Sequence, residues 1–197
     1  MDIIVATTNK HKLEEIKKIF DLLQTADGQT KLNIIGKNIK VLEDGKIFEE
    51  NALKKARAAA RKFKKIGIAD DSGLVVNALN GNPGIMSARY ASPPTTKNLC
   101  GKLLKAMKQH KNRHAHFVCA MAIAYPNGEE KVVVGKVFGR ISYEMKGEHG
   151  FGYDPVFIPR GYKKTFSEIS PHSKNIISHR SDALKKLRKI LKFGGNK

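Results

Sequence analysis

Ile3-Ile4-Val5-Ala6-Thr7-Thr8-Asn9 opens the chain with four apolar residues and a polar turn, and Lys10 onward carries Leu13, Ile16, Ile19, Phe20 and Leu23 at helical spacing. The first run has the length and β-branched content of a buried strand, and the second has one apolar stripe. Together they predict a β-loop-α unit in which Thr7, Thr8 and Asn9 supply turn and N-cap chemistry. Downstream, residues 115–125 alternate with period two: Phe117, Cys119, Met121, Ile123 and Tyr125 share one face, and Val118, Ala120, Ala122 and Ala124 the other. Pro126-Asn127-Gly128 turns this strand into a second, Lys131 to Phe138, making a long hairpin. A βα unit and a hairpin in one chain predict an α/β fold with a mixed sheet and flanking helices.

The remaining segments interleave with these. The polar stretch Thr25–Asp44 holds a predicted strand around Leu32 to Ile35, and Phe48 to Lys65 reads as a helix with Ala52, Leu53, Ala56, Ala60 and Phe63 inward. Gly67-Ile68-Ala69, Asp70-Asp71-Ser72-Gly73 and Leu74-Val75-Val76 read as strand, tight turn and strand, with the acidic pair at the corner. Past Asn80-Gly81-Asn82-Pro83-Gly84 and the stop at Pro93-Pro94, a helix carries Leu99, Leu103, Leu104 and Met107. A last helix from about Ser181 buries Ala183, Leu184, Leu187, Ile190 and Leu191. No repeat or linker divides the chain, so residues 1–197 are expected to form one domain.

The chain has 197 residues, 41% of them hydrophobic, which is enough for one core or for two lobes sharing one. Its longest apolar run, Phe117 to Tyr125, is far short of the roughly 20 residues of a membrane helix, and the start lacks the basic and apolar regions of an export signal. Cys100 and Cys119 form no CxxC pair and sit among apolar residues, as in the reducing cytoplasm. Thirty-seven Lys and Arg against 18 Asp and Glu give a formal charge of +19. Such a surface attracts nucleic acid, acidic membranes and phosphorylated metabolites alike. Acid-free runs extend from Ser72 to Gly128 and past Asp182, the second carrying Lys185, Lys186, Arg188, Lys189, Lys192 and Lys197. A solvated basic surface is the simpler account of the overall charge.

Four segments carry residues suited to chemistry. A loop opening a helix after a strand presents unpaired N–H groups, and Lys10 and Lys12 add cationic donors, so Thr7 to Lys12 suits phosphate, although an ordinary N-cap with solvated lysines is the simpler account of this loop taken alone. It is neither a P-loop nor a dinucleotide fingerprint. Asp70 and Asp71 repel each other unless a cation neutralises them or one is protonated. Their hard oxygens suit Mg²⁺, with a third carboxylate available from Glu43 or Asp44, although an Asx-turn explains them too. Gly147-Glu148-His149-Gly150-Phe151-Gly152-Tyr153-Asp154 lets backbone and ring approach a flat ligand, so Phe151 could stack on a base or simply fill the core. Ser173 to Arg180 gathers Lys174, His179 and Arg180 as donors for carbonyl or phosphate oxygens, or as capping and surface residues. Taken together, the four segments and the charge describe a binder of metal-complexed nucleotides.

Thr7-Thr8-Asn9-Lys10-His11-Lys12, Phe48-Glu49-Glu50-Asn51-Ala52, Ala69-Asp70-Asp71-Ser72-Gly73-Leu74, Gly84-Ile85-Met86-Ser87-Ala88-Arg89-Tyr90, Phe151-Gly152-Tyr153-Asp154-Pro155 and Ser178-His179-Arg180 resemble, in order and spacing, the non-canonical purine nucleoside triphosphate pyrophosphatases, the Ham1 or inosine triphosphatase family. The resemblance implies an elongated α/β fold with two lobes around a central nucleotide cleft, working as a homodimer. It implies Mg²⁺-dependent hydrolysis of ITP, dITP and XTP to the monophosphate and pyrophosphate, with no need for nucleic acid or membrane. By the same resemblance Thr7, Thr8, Asn9, Lys10, His11 and Lys12 would hold phosphates, and Glu43, Asp70 and Asp71 would serve Mg²⁺. Asp71 would be the general base and Ser72 would touch the nucleotide. Phe151, Gly152, Tyr153, Asp154 and Lys174 would line its pocket, and His179 and Arg180 would read the base. A hypoxanthine or xanthine 6-oxo group accepts from such donors, whereas the adenine amino group does not. Two other readings compete: a nucleic-acid binder with salt-dependent affinity, and a pyrophosphatase of the related Maf type acting on other nucleotides.

Overall fold

Residues 1–27 and 32–191 are described by the structure, a computed structural model. Residues 28–31 of the polar stretch, and Lys192 and Lys197 of the basic run, lie outside the described residues. The elements are β1 (Asp2–Ala6), α1 (Lys10–Asp27), β2 (Asn33–Lys37), α2 (Phe48–Phe63), β3 (Ile66–Val76), α3 (Thr96–Ala106), β4 (His114–Ala124), β5 (Glu130–Ile141), β6 (Phe157–Pro159), α4 (Pro171–Ile177) and α5 (His179–Ile190), with short 3₁₀ turns at Asn77–Leu79, Gly84–Arg89 and Asp154–Val156. They form one six-stranded sheet in the order β2-β1-β3-β4-β5-β6. β1 is parallel to β2 and β3, and the remaining neighbours are antiparallel. The mixed α/β sheet expected from the βα unit and the hairpin is the one observed.

The two faces of β4 explain the layers. Cys119, Met121 and Ile123 pack with Ile16, Ile19 and Phe20 of α1 and Leu184 and Leu187 of α5. Ala120, Ala122 and Ala124 meet Ala52, Ala56, Ala59 and Ala60 of α2 on the other side. Small residues on both surfaces bring α2 close to the sheet: a Cβ on Gly67 would lie 2.4 Å from the Ala56 carbonyl oxygen. Toward the far end, Phe117 leads into a third cluster with Leu74, Leu103, Phe157 and Phe166. α2 ends two residues before its expected Lys65, where Lys64 adopts a left-handed φ of 52° and donates to the Ala60 carbonyl.

Two expectations are corrected. Asp70-Asp71-Ser72-Gly73 is no turn: β3 runs unbroken through it and pairs with β4 from Gly67↔Ala124 to Val76↔Ala115. Its polarity arises because β1 pairs with β3 only as far as Val5↔Ile68, so the acidic pair lies on the strand edge that β1 leaves open. The segment ahead of the last helix is also helical. Pro171 stands in the first turn of α4, and the Ser170 hydroxyl accepts from the Ser173 amide at 3.1 Å. Ser178 is extended, and its hydroxyl caps α5 by accepting from the Ser181 amide at 3.1 Å. α5 therefore begins at His179 rather than Ser181, with His179 and Arg180 in its first turn.

Candidate active site

Where β1 ends, β3 continues with β4 as its one strand neighbour, and α1 departs from the gap. Open sheets bind ligands at such a switch, outside the carboxyl ends of parallel strands. A cavity of about 500 Å³ opens there, within the size range of small-ligand sites. Thr7 keeps the loop in line by donating its amide to Lys37 at 3.2 Å. The Thr7 hydroxyl accepts from the Asn9 amide, and the Asn9 side chain from the Lys12 amide, both at 3.1 Å. The start of α1 is thus capped beside the cavity, with its dipole's positive end toward it. Thr7, Thr8, Asn9, His11 and Lys12 line the space; Lys10 is exposed and does not.

One wall is a chain of alternating buried charges. Lys174 reaches Asp154 at 2.5 Å and Glu15 at 2.7 Å. Arg180 bonds Glu15 through one terminal nitrogen, and through the other Asp70 and the Ser72 hydroxyl at 3.0 Å each. Lys12 closes the chain at 3.1 Å from Asp70. Burial alone would raise the Asp70 carboxyl, but Lys12 and Arg180 outweigh it and hold the group well below the usual carboxylate range. Against the same burial, Arg180 and Lys174 hold Glu15 low. Asp70 is therefore taken up by this network and does not line the cavity.

Asp71 points to the opposite face of the strand, and its situation is the reverse. Its carboxylate accepts from the Asn51 amide at 3.1 Å and from the Ser72 backbone at 3.1 Å. Among the described residues, no cation lies within ion-pair distance of it. Burial pushes its pKa up, with Lys55 and Lys12 opposing from farther away. Asn51 also accepts from the Gly45 amide at 2.8 Å, so one side chain ties Asp71 to the turn that carries Glu43. Glu43 lines the cavity and pairs with Lys55 at 3.1 Å. Glu43 and Asp71 are the hard-oxygen donors of this wall. Among the described residues, no group of three His, Cys, Asp or Glu gathers into a metal cluster.

The far end is aromatic. Phe151, Gly152, Tyr153 and Asp154 all line the cavity. The Tyr153 hydroxyl donates to the Ser87 carbonyl at 2.9 Å, and the Gly152 amide donates to Thr96 at the start of α3 at 3.2 Å. Gly150 has φ +80°, and a Cβ there would lie 2.2 Å from the Asp154 carboxylate, so the turn needs glycine. His179 stacks on Phe117 with centroids 4.8 Å apart. Burial and the charges of Arg180 and Lys174 hold its pKa well below 6.5, which keeps the ring neutral. Its Nδ1 is buried and has no hydrogen-bond partner among the described residues, an uncommon state that a ligand would relieve.

Of the residues that the family resemblance assigns to the site, the structure brings together all but Lys10 and Asp70; Asp44, the other carboxylate offered as a metal ligand, is exposed and pairs with Lys54 instead. It adds Asn51, Lys55, Glu15, Ser87 and Arg89. Asn51 and Lys55 carried a signal: they sit at i and i+4 on the buried stripe of α2, beside alanines. Glu15 gave none, because its partners Lys174 and Arg180 are more than 150 residues away in sequence.

The family model described as Ham1 family matches residues 3–190. The chain is 43% identical over 192 residues to the dITP/XTP pyrophosphatase of Oceanobacillus iheyensis, covering 96% of this chain and 97% of that one. It is 43% identical over 196 residues to the dITP/XTP pyrophosphatase of Bacillus subtilis, covering 95% and 96%. The solved structure of the Staphylococcus aureus Ham1 protein superposes with a TM-score of 0.83 at 39% identity, covering 96% and 97%.

Proposed function

The chain belongs to the Ham1 family, and from that premise we propose that it hydrolyses non-canonical purine nucleoside triphosphates, ITP, dITP and XTP, to the nucleoside monophosphate and pyrophosphate. The observation that carries the reading is Asp71: a buried carboxylate on the cavity wall, free of ion pairs among the described residues, facing a capped helix start and Lys12. A carboxylate whose pKa burial has raised is a better proton acceptor than an ordinary aspartate. It takes the proton of a water whose oxygen bonds to the α-phosphorus, while the bridging oxygen leaves with the β-phosphorus as pyrophosphate. Asn51 orients the carboxylate. The α1 dipole, Lys12 and Lys55 stabilise the negative charge that moves onto the leaving group. Ser72, held by Asp70 and Arg180, faces the nucleotide from the neighbouring strand position.

At the other end, Phe151 supplies a flat surface for the base, and neutral His179 donates an N–H to the 6-oxo oxygen of hypoxanthine or xanthine. An adenine amino group there would leave His179 facing a donor, which buried sites reject strongly. Arg180 and Lys174 hold His179, Asp154 and the loop in place. We also infer that turnover requires Mg²⁺. Glu43 and Asp71 would hold it, and bound there it neutralises charge on the phosphates; hard oxygens on a phosphate-facing wall suit that ion.

We infer further that the protein acts as a homodimeric, single-domain cytoplasmic enzyme. Buried free Cys100 and Cys119 favour a reducing compartment, and exposed Phe138 and Tyr143 offer apolar surface for a second copy. No described helix is long and apolar enough to cross a membrane. The test is pyrophosphate release from ITP, dITP, XTP, ATP, GTP and dTTP, with and without Mg²⁺. Fast cleavage of the first three, only with metal, is the expected result; cleavage of none of them would overturn the proposal.

A further inference from the structure

His11 and Phe151 both line the cavity, and their rings stack with centroids 5.3 Å apart and planes 16° from parallel. Rings that stack directly on each other have centroids roughly 4.5–7 Å apart, so two rings that hold a third between them must stand well beyond that range. A purine cannot enter between these two rings as they stand. Nor is Phe151 otherwise bare, since the Lys174 ammonium lies 4.9 Å from its centroid.

We propose that His11 holds the place of the purine: in the free protein its imidazole covers Phe151, and an incoming base must displace it. The inference rests on the purine reading above and assigns to the base end a residue of the loop whose neighbours face the phosphates. Mobility of this side chain fits the role. His11 is the second residue of α1, exposed, and its imidazole makes no hydrogen bond to any described residue. The backbone beneath it is fixed by the Asn9 cap, so a rotamer change moves the ring without moving the loop.

The energetics give the device a signature. When only a fraction of molecules has the face open, the apparent dissociation constant rises by the inverse of that fraction, equally for every ligand that needs the face. A stacked aromatic pair supports a factor of roughly two- to tenfold. Affinity for all base-bearing ligands therefore falls together, while selectivity among them and affinity for a base-free polyphosphate stay as they were.

Two measurements test this on the intact protein. The imidazole proton resonances of His11, assigned by their loss in His11→Ala, should lie upfield from the Phe151 ring current. They should return toward ordinary positions on adding inosine monophosphate and stay put on adding tripolyphosphate. In kinetics, His11→Ala should lower KM for ITP and ATP by the same two- to tenfold factor and leave tripolyphosphate inhibition unchanged, and His11→Phe should raise KM. A raised or unchanged KM in His11→Ala, or tripolyphosphate inhibition that weakens with it, overturns the place-holder. ITP turnover by the unsubstituted protein separates the two levels. No turnover overturns the purine reading and this inference with it; normal turnover with unresponsive His11 resonances overturns the place-holder alone.

Discussion

Replacing Arg180 by Met should destabilise the protein, and the loss should depend on pH in a direction the charge chain dictates. Arg180 is 1% exposed and is hydrogen-bonded to Glu15, Asp70 and Ser72. Met roughly fills the space but leaves two buried carboxylates short of a partner, a loss of about 3–5 kcal/mol when nothing else compensates. Lys174 remains 2.7 Å from Glu15 and Lys12 remains 3.1 Å from Asp70, so the lower figure applies, about 3 kcal/mol near neutral pH. With a urea slope of about 2 kcal/mol/M, the midpoint falls by about 1.5 M.

The pH dependence follows from the direction of the shifts. In the intact protein Asp70 and Glu15 are held below their unfolded values. Their stabilisation is present above the unfolded pKa, near 4, and is lost as pH falls through the folded values. Without Arg180, burial dominates and their folded values rise, so the variant loses stability as pH rises through them. The gap between the two proteins should widen from pH 4.5 to pH 7.5 in urea unfolding followed by circular dichroism. A gap that is small, or flat across that range, would refute the argument that Arg180 holds two ionised carboxylates.

Three further outcomes follow from the same structure. Asp71→Asn should cut kcat for ITP at least a thousandfold with the thermal midpoint unchanged or raised, since a buried unpaired charge is removed; near-normal turnover excludes Asp71 as the base. Asn51→Ala removes the side chain joining Gly45 to Asp71 and should lower kcat by roughly ten- to a hundredfold, the scale of a misplaced catalytic group, with KM changed far less. Gly135→Ala places a Cβ 2.2 Å from the His179 carbonyl and 2.3 Å from the Ala183 amide. The first turn of α5 must then retreat, costing about 1–3 kcal/mol and eroding the preference for ITP over ATP; full stability and selectivity would show that α5 is not positioned by this contact.

The sheet was legible because its signals are local. Alternation in residues 115–125 gave β4 and its two unlike faces, and the stripe after Asn9 gave α1. What failed was the meaning of Asp70-Asp71-Ser72-Gly73, since polar residues between apolar runs ordinarily mark a turn. Here they mark a strand whose neighbour has stopped, and a strand's neighbours cannot be read from its own residues. The same limit split the acidic pair: once the segment is a strand, adjacent side chains face opposite sides, so Asp70 joins Arg180 while Asp71 faces the cavity. α4 escaped notice because seven residues are too few to show a period. Glu15 escaped because a buried ion pair spanning the chain leaves no local pattern.

The central claim is attack by water at the α-phosphorus under the control of Asp71, and hydrolysis of ITP in ¹⁸O-labelled water tests it most directly. Mass spectrometry of the products should find one ¹⁸O in inosine monophosphate and none in pyrophosphate, with formation of both products lost in Asp71→Asn. Label in pyrophosphate or in inorganic phosphate would place the attack on another phosphorus and contradict the account.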